Sequence, residues 1–598
     1  MKISQLYSNR SEVFHPLRYN AGLNVVLGEI RRPENREKDT HNLGKSTLAS
    51  LIDFCLLKGI TNAFFLTAHS ERFTGLVFCL ELELNDETFL TVQRGVDNPS
   101  RISFKSHSER LQDFSESSAT DWDHFAVPFQ RARSLLDGLL DFQVLKPWDY
   151  RKYVGYILRS QSDYDDLFQL SKFRGQHVEW KPALAKLLGF GSDAVTGLYE
   201  RRVEREGLRA QIGLLEQEAG PTDNDVSAID GMVALKQAEI ARRRATLKDF
   251  NFMTEDQQVN RDLVDNIDTE ISRLNEVLYS LGGRRTRIAG ALAQERLIFS
   301  VREAREVFSE AGVVFQGQLL RDFDQLVSFN RAITDERRAL LSVELSDAEN
   351  GIAEATAQLG ARQGRRAELL SFLTDSDALQ RYRDVSSQLV SLEADLEGLR
   401  RTRDSLGHLL ELRADLRRAQ EDVGHLQTTI ERNVASVSGD DTSLFSRIRR
   451  FFGDIVYEVT GARAILTVSP NAEGNLDFRA SVLDDTGTHT SRGRGSSYQK
   501  LLCIAFDLAV LRAHLSENFP RFVFHDGVFE ALDDRKKHNL LGVLRQYSAL
   551  GIQAIVTTID SDIPDAARAD GSFFRPDEII LLLHDDGDDG LLFKMPPW

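Results

Sequence analysis

The chain has 598 residues, 41% of them hydrophobic and 28% charged, which is enough apolar material for roughly two to four packed domains. A formal net charge of −17 excludes a uniformly basic nucleic-acid coat and leaves room only for local basic grooves. Cys55, Cys79 and Cys503 all sit in apolar stretches with no pair at metal-ligand spacing, which argues against a disulfide framework or a zinc site and predicts buried thiols.

In chain order, MKISQLY, GLNVVLG, LVFCLELEL and FLTVQR read as short strands. The first residues carry no basic segment followed by an apolar stretch, and no run reaches the roughly 18 apolar residues of a membrane span, so a cytoplasmic protein without a membrane segment is expected. After the apolar residues 24–27 come Gly28, a polar insert EIRRPENREKDTH, and His41-Asn42-Leu43-Gly44-Lys45-Ser46-Thr47, which leads into the apolar helix LASLIDFCLL. A glycine, a lysine and a hydroxyl at a helix start are the chemistry of a phosphate cradle. Backbone N–H groups point at the phosphates, Lys45 reaches the β and γ oxygens, and the Ser46 hydroxyl holds Mg²⁺. Asn42, Gly44, Lys45, Ser46 and Thr47 are the candidate contacts. The match to G-x-x-x-x-G-K-[ST] departs at Asp39, which stands where the first glycine belongs.

Farther on, Arg159-Ser160-Gln161-Ser162-Asp163-Tyr164 follows the helix-like YRKYVGYIL, and Gln161 is either a site residue or a solvated helix end. All thirteen prolines lie at or before Pro221 or at or after Pro470, as long helices between them require. Apolar residues there recur at alternating steps of three and four. The first arm reads Val264, Ile267, Ile271, Leu274, Leu278, Leu281, then Ile288 and Leu292 beyond a break at Arg285. The second reads Tyr382, Val385, Leu389, Leu392, Leu396, Leu399, Leu406 and Leu410, and after a slip near Leu412 it resumes as Leu416, Ala419, Val423, Leu426 and Ile430. Two arms of about 100 residues, ~150 Å each if wholly helical, predict an antiparallel coiled-coil hairpin with its turn at 308–329. A helical bundle is the alternative.

The C-terminal part supplies further strands, RAILTVSP, LDFRASVL, RFVFHD and QAIVTTI, so both ends are α/β. SRGRGSSYQK precedes the apolar helix LLCIAFDLAVLRAHL, and Ser496 or Ser497 lies at its N-terminus. A glycine-rich β-to-α loop accounts for the same letters. In RFVFHDGVFEALDDRKK the strand ends in Asp526, and Asp533 follows seven residues later after Leu532. Either acid alone reads equally as a turn residue. Arg201, Arg202 and Arg205, and Arg447, Arg449 and Arg450, form basic clusters that are either phosphate contacts or solvated faces.

The order of phosphate loop, Gln161 segment, coiled coil, small-residue turn and strand-end acid resembles that of SMC, SbcC and RecN proteins over nearly the whole chain. More narrowly, HNLGKSTL, LRSQSDY and GRGSSYQKLLCIAFDLAVL resemble the bacterial DUF2326 group. The resemblance implies an α/β ABC-type ATPase head assembled from an N-terminal lobe (1–195) and a C-terminal lobe (436–598), with an inserted antiparallel α-helical coiled-coil hairpin (196–435). It implies ATP and Mg²⁺ as cofactors, with Ser46, Gln161 and Asp526 around the metal and Gln161 also sensing the attacking water. Ser496 or Ser497 would stand in the signature, and Asp533 in the loop at the dimer interface. Two copies would then form a homodimer that sandwiches nucleotide between heads.

Two positions depart from the ABC pattern. Gly527 follows Asp526 where most ABC heads carry the catalytic glutamate, which leaves Glu530, or less directly His525, as the candidate base, with an ordinary loop acid as the alternative for Glu530. Thr558 takes the approximate place of the switch histidine. Slow turnover, with ATP closing the heads as a switch, is expected. The narrower resemblance implies a DNA- or invader-sensing ATPase of a three-component anti-phage system, acting with a small middle component and a nuclease or toxin effector. A DNA-repair ATPase regulating a bound nuclease and a coiled-coil scaffold with a degenerate head are the alternatives, and intact Gly44, Lys45 and Ser46 argue against the scaffold.

Overall fold

Apolar runs such as FVFH and QAIVTTI, buried along their whole length, belong to a sheet covered on both faces. In the computed structural model of the chain, which describes residues 1–32, 43–173, 175–219, 226–248, 255–293, 317–371, 377–484 and 496–596, they lie in a five-stranded parallel sheet. Its order is Ile579–His584, Leu23–Glu29, Gln553–Ile559, Phe522–His525, Leu158–Arg159. N-terminal and C-terminal strands are thus interleaved, with the two C-terminal strands Gln553–Ile559 and Phe522–His525 adjacent. The strand Leu23–Glu29 is flanked on both sides by strands from the C-terminal part, and among the described residues Leu158–Arg159 pairs only with Phe522–His525.

A second, antiparallel sheet runs in the order Leu17–Arg18, Lys2–Ser8, Val77–Glu83, Phe89–Gly95, Arg101–His107, His124–Pro128. The helix Lys45–Cys55 packs on its strands Val77–Glu83 and Phe89–Gly95, burying Leu48, Leu51, Ile52, Phe54 and Cys55. Its C-terminal carbonyls, which have no partners within the helix, are closed by the buried Arg94. One guanidinium nitrogen donates to Phe54 O at 2.7 Å and Lys58 O at 2.9 Å. Cys55, Cys79 and Cys503 are free and buried, as their apolar neighbours predict. A hairpin, Arg463–Pro470 with Leu476–Leu483, completes the strands.

The chain divides into two units, Met1–Val203 with Gln420–Trp598, and Glu204–Ala419. The first is the α/β head, built from both ends of the sequence. The second is the inserted helical part, and its pairing is antiparallel: Val226–Lys248 lies along Asp377–Gly439 through Lys236–Asp395 (2.9 Å) and Arg244–Glu393 (2.6 Å), and Glu255–Ala293 along Gly317–Ser371 through Arg366–Asp268 (2.6 Å) and Arg362–Glu270 (2.9 Å).

The seam residues Val264, Ile267, Ile271, Tyr382, Leu396, Ala419, Val423 and Ile430 are buried, but their neighbours differ from a two-arm hairpin. Glu255–Ala293 also runs beside the Asp377 helix in the same direction, with Ser386 Oγ donating to Asp268 at 2.6 Å and Val264, Leu370 and Tyr382 in one cluster. This middle part is therefore a local bundle of four helices. A three-and-four repeat specifies a buried stripe and says nothing of how many helices cover it. Of the stretch 308–329 read as a turn, 308–316 lie outside the described residues and 317–329 open the helix Gly317–Ser371.

Candidate nucleotide site at the strand ends

Ligands of open parallel sheets bind outside the carboxyl ends of the strands. Here those ends deliver Gly28, then Leu43-Gly44-Lys45 beyond the insert, Arg159-Ser160-Gln161, Asp526 and Ile559-Asp560. Gly44 caps the helix Lys45–Cys55 at φ +97°, and a Cβ there would lie 2.5 Å from the Cβ of Leu592. At Gly28 a Cβ would meet Leu43 Cδ1 at 3.0 Å and the Lys45 stem at 3.5 Å. As N-cap, Gly44 brings no side chain of its own to the helix start, whose first N–H groups can receive an anion.

Ser46 Oγ donates to Asp526 Oδ2 across 480 residues of sequence. The other oxygen of Asp526 accepts from Thr557 Oγ1 at 2.5 Å, and Thr557 Oγ1 in turn accepts from the Gly527 N–H at 2.9 Å. Asp526 is fully buried. Lys45 is buried beside it. Burial pulls its ammonium below the ordinary lysine range, against the opposing charges of Asp526, Glu530, Asp562 and Asp560. A hydroxyl, a buried carboxylate, a lysine and uncapped helix N–H groups are the donor set of a Mg²⁺–phosphate site, so the residues present fit both.

Gln161 opens a short 3₁₀ turn fixed by Ser160 and Asp163, and its amide donates to Glu530 Oε1 at 2.8 Å. Lys500 donates to Glu530 Oε2 at 2.7 Å and to Gly527 O at 2.9 Å. Gly527 has φ +65°, and a Cβ there would come within 2.6 Å of Glu530 Oε1. The carboxylate of Glu530 therefore occupies the space that a side chain at position 527 would fill.

Behind these residues lies a buried network. Arg159 donates to both oxygens of Asp507, at 2.7 and 3.0 Å, and His525 Nε2 contacts Asp507 Oδ2 at 3.0 Å, all three side chains being inaccessible. Burial lowers the His525 pKa, and with its ring wholly inaccessible this histidine is not placed to take a proton from water. Thr558 is buried, with its hydroxyl on Ile559 O at 3.3 Å.

Asp533 stands apart from this group. It caps the helix Asp534–Ala549, accepts from Lys536 N at 3.0 Å and pairs with its Nζ at 2.7 Å, and the Lys536 hydrogen bonds hold its carboxyl below the usual range. Ser496 begins the helix Ser496–Ala513, with Ser497 next to it. Thr47 lies in the first turn of the Lys45 helix. Asn42 lies outside the described residues.

Three residues of the site went unnoticed in the sequence. Lys500 was hidden as one letter of a helix start. Thr557 had a signal, because alternation along the strand puts 557 and 558 on opposite faces. Asp562 faces the charges of Glu530, Lys537 and Lys45, and burial together with Glu530 raises its carboxyl above the usual range.

Of the basic residues, Arg201 pairs with Asp422 at 3.3 Å, Arg202 with Glu473 at 3.2 Å and Arg205 with Glu206 at 2.8 Å. That cluster is a charge-paired face. Arg449 and Arg450 instead lie over the rings of Phe445 and Phe451. The acidic HDDGDDG segment follows the edge strand Ile579–His584, where Asp585 accepts from the Arg31 and Arg32 N–H groups. Among the described residues no strand returns from it to make a hairpin, and no His/Cys/Asp/Glu group there or elsewhere is arranged as a metal cluster. No described helix is long and apolar enough to cross a membrane.

Residues 453–597 match a family described as an uncharacterised protein conserved in bacteria (DUF2326). No curated protein matches the chain in sequence. Similar solved structures include the Smc head domain with a coiled coil and joint from Pyrococcus yayanosii, at 13% identity over 99% of this chain and 96% of that one, with a TM-score of 0.35. Others are the Smc head with an extended coiled coil bound to the C-terminal domain of ScpA from Pyrococcus furiosus (12% identity, 95% and 91% covered, TM-score 0.31) and an Smc head bound to the C-winged helix domain of ScpA (10%, 95% and 91%, 0.33).

Proposed function

We propose that the chain binds ATP with Mg²⁺ and hydrolyses it slowly, using ATP-dependent engagement of two heads as a switch. The observation that carries this reading is the meeting of Ser46 with Asp526, two chemically matched groups 480 residues apart, beside the buried Lys45. Ser46 and Asp526 would hold Mg²⁺, with Gln161 close by, and the metal would neutralise charge on the phosphates. Lys45 and the N–H groups of its helix bind and orient the phosphates. Glu530, held where a side chain at 527 would lie, takes the proton from water as general base. Asp533 and the start of the Ser496 helix, with Ser496 or Ser497, would meet the partner head's nucleotide.

The reading is tested by ATP turnover and nucleotide binding in the full chain. Glu530→Gln is expected to lower kcat by roughly a hundredfold or more with ATP still bound, and Lys45→Ala to abolish binding. Fast turnover that survives Glu530→Gln would remove both the slow switch and the base. Light scattering with and without ATP checks engagement, where a mass independent of nucleotide counts against it.

Control of a partner effector in bacterial anti-phage defence, with DNA or an invader as the trigger and a small middle component between them, is the wider role we propose. It is supported by the resemblance of HNLGKSTL and GRGSSYQKLLCIAFDLAVL to the DUF2326 group and by Arg449 and Arg450, which have no acidic partner among the described residues.

A further inference from the structure

The helix Ser496–Ala513 reaches the site at two points, about two turns apart. Asp507 is the inner one, fully buried and bonded to Arg159 and His525, which directly precede the Gln161 turn and Asp526. Lys500 is the outer one, on the first turns with Ser496 and Ser497. Its ammonium is saturated, with a carbonyl (Gly527 O, 2.9 Å), a carboxylate (Glu530 Oε2, 2.7 Å) and the ring of the buried Tyr164 at 5.3 Å from Nζ. Glu530 is thereby gripped at both oxygens, Oε1 by Gln161 and Oε2 by Lys500.

A carboxylate on a loop has rotamer freedom that a base must lose before it can align water, and fixing it in advance is worth rate without touching affinity. The place it is held in is open because position 527 is a glycine, where a Cβ would come within 2.6 Å of Glu530 Oε1. We propose that Lys500 is the positioning residue for hydrolysis: it holds the Glu530 carboxylate against Gln161 in the place left open by Gly527. The proposal rests on the assignment of Glu530 as base. It gives the Ser496 helix a function within its own head, besides any contact its N-terminus makes with a partner.

The test is a double-mutant cycle on ATP turnover by the full chain, with kcat and KM determined separately. Lys500→Met should lower kcat roughly ten- to a hundredfold with KM and the ATP dissociation constant unchanged, and Lys500→Arg should recover part of the loss because it retains a cation that can reach the carboxylate. In a Glu530→Gln background, Lys500→Met should cause no further loss, since the group it positions is gone. Unchanged kcat in Lys500→Met overturns the proposal, as do losses that multiply in the double variant. If Lys500→Met unfolds, the same cycle run with Lys500→Arg and Lys500→Gln decides by the same criterion. Glu530→Gln that turns over like the parent overturns the base assignment itself and the positioning role with it, whereas a crippled Glu530→Gln with multiplying losses overturns the positioning role alone.

Discussion

A methyl group added at Gly44 would sit 2.5 Å from the Cβ of Leu592, on a backbone at φ +97° that side chains rarely adopt. Gly44→Ala is therefore expected to cost about 1–3 kcal/mol in strain and to weaken ATP binding, because Lys45 and Ser46 follow directly on the displaced turn. Calorimetric titration of nucleotide beside a thermal melt checks both, and unaltered binding would mean that the turn does not set the cradle. This part of the site was legible because Gly44-Lys45-Ser46 and Asp526 carry their chemistry in their letters. Glu530 was legible as the acid nearest the missing glutamate, ahead of His525, but equally as an ordinary loop acid. What singles it out is the space at Gly527, and a sequence records no space. Thr557 and Lys500 were missed because each acts through a neighbour on a different strand or turn.

Between elements, the Arg159–Asp507–His525 network ties the Leu158–Arg159 strand, the Ser496 helix and the Phe522–His525 strand together with no side chain exposed. Removing one partner of a buried ion pair leaves the other uncompensated, so Arg159→Met is expected to destabilise the head by about 3–5 kcal/mol. Arg159→Met with Asp507→Leu should recover part of that, since the orphaned charge is gone. Denaturation followed by fluorescence reads the head, where Trp122, Trp148 and Trp180 lie. A double variant as unstable as the sum of the singles would show that the network stabilises beyond pairing. Individual strands and the long helices were plain in the sequence, through apolar runs and the absence of proline. The doubling back of Glu255–Ala293 beside Tyr382 and Ser386 was not, because a stripe such as Val264, Ile267 and Ile271 is compatible with one partner helix or several.

At the scale of the molecule, the interleaving of early and late strands means that neither end of the chain can complete the parallel sheet alone. Residues 1–203 alone would leave Leu23–Glu29 without either neighbour, and 420–598 alone would leave Gln553–Ile559 open on one edge. Exposed edges of apolar strands aggregate. The two fragments are expected to be insoluble when expressed separately and to assemble into one species when expressed together, as read by gel filtration. A folded, monomeric 1–203 fragment would contradict this dependence of one part on the other.

The same interleaving gives the protein an awkward birth. Leu592 N–H donates to Leu43 O at 3.2 Å and its side chain seats Gly44, so the turn that begins the Lys45 helix waits for a residue made 549 positions later (592 − 43). At 5–20 residues per second that delay is roughly half a minute to two minutes. Throughout it the strand Leu23–Glu29, which leads into the phosphate-binding residues, has neither of its neighbours, so a chaperone has a long, defined interval in which to be needed.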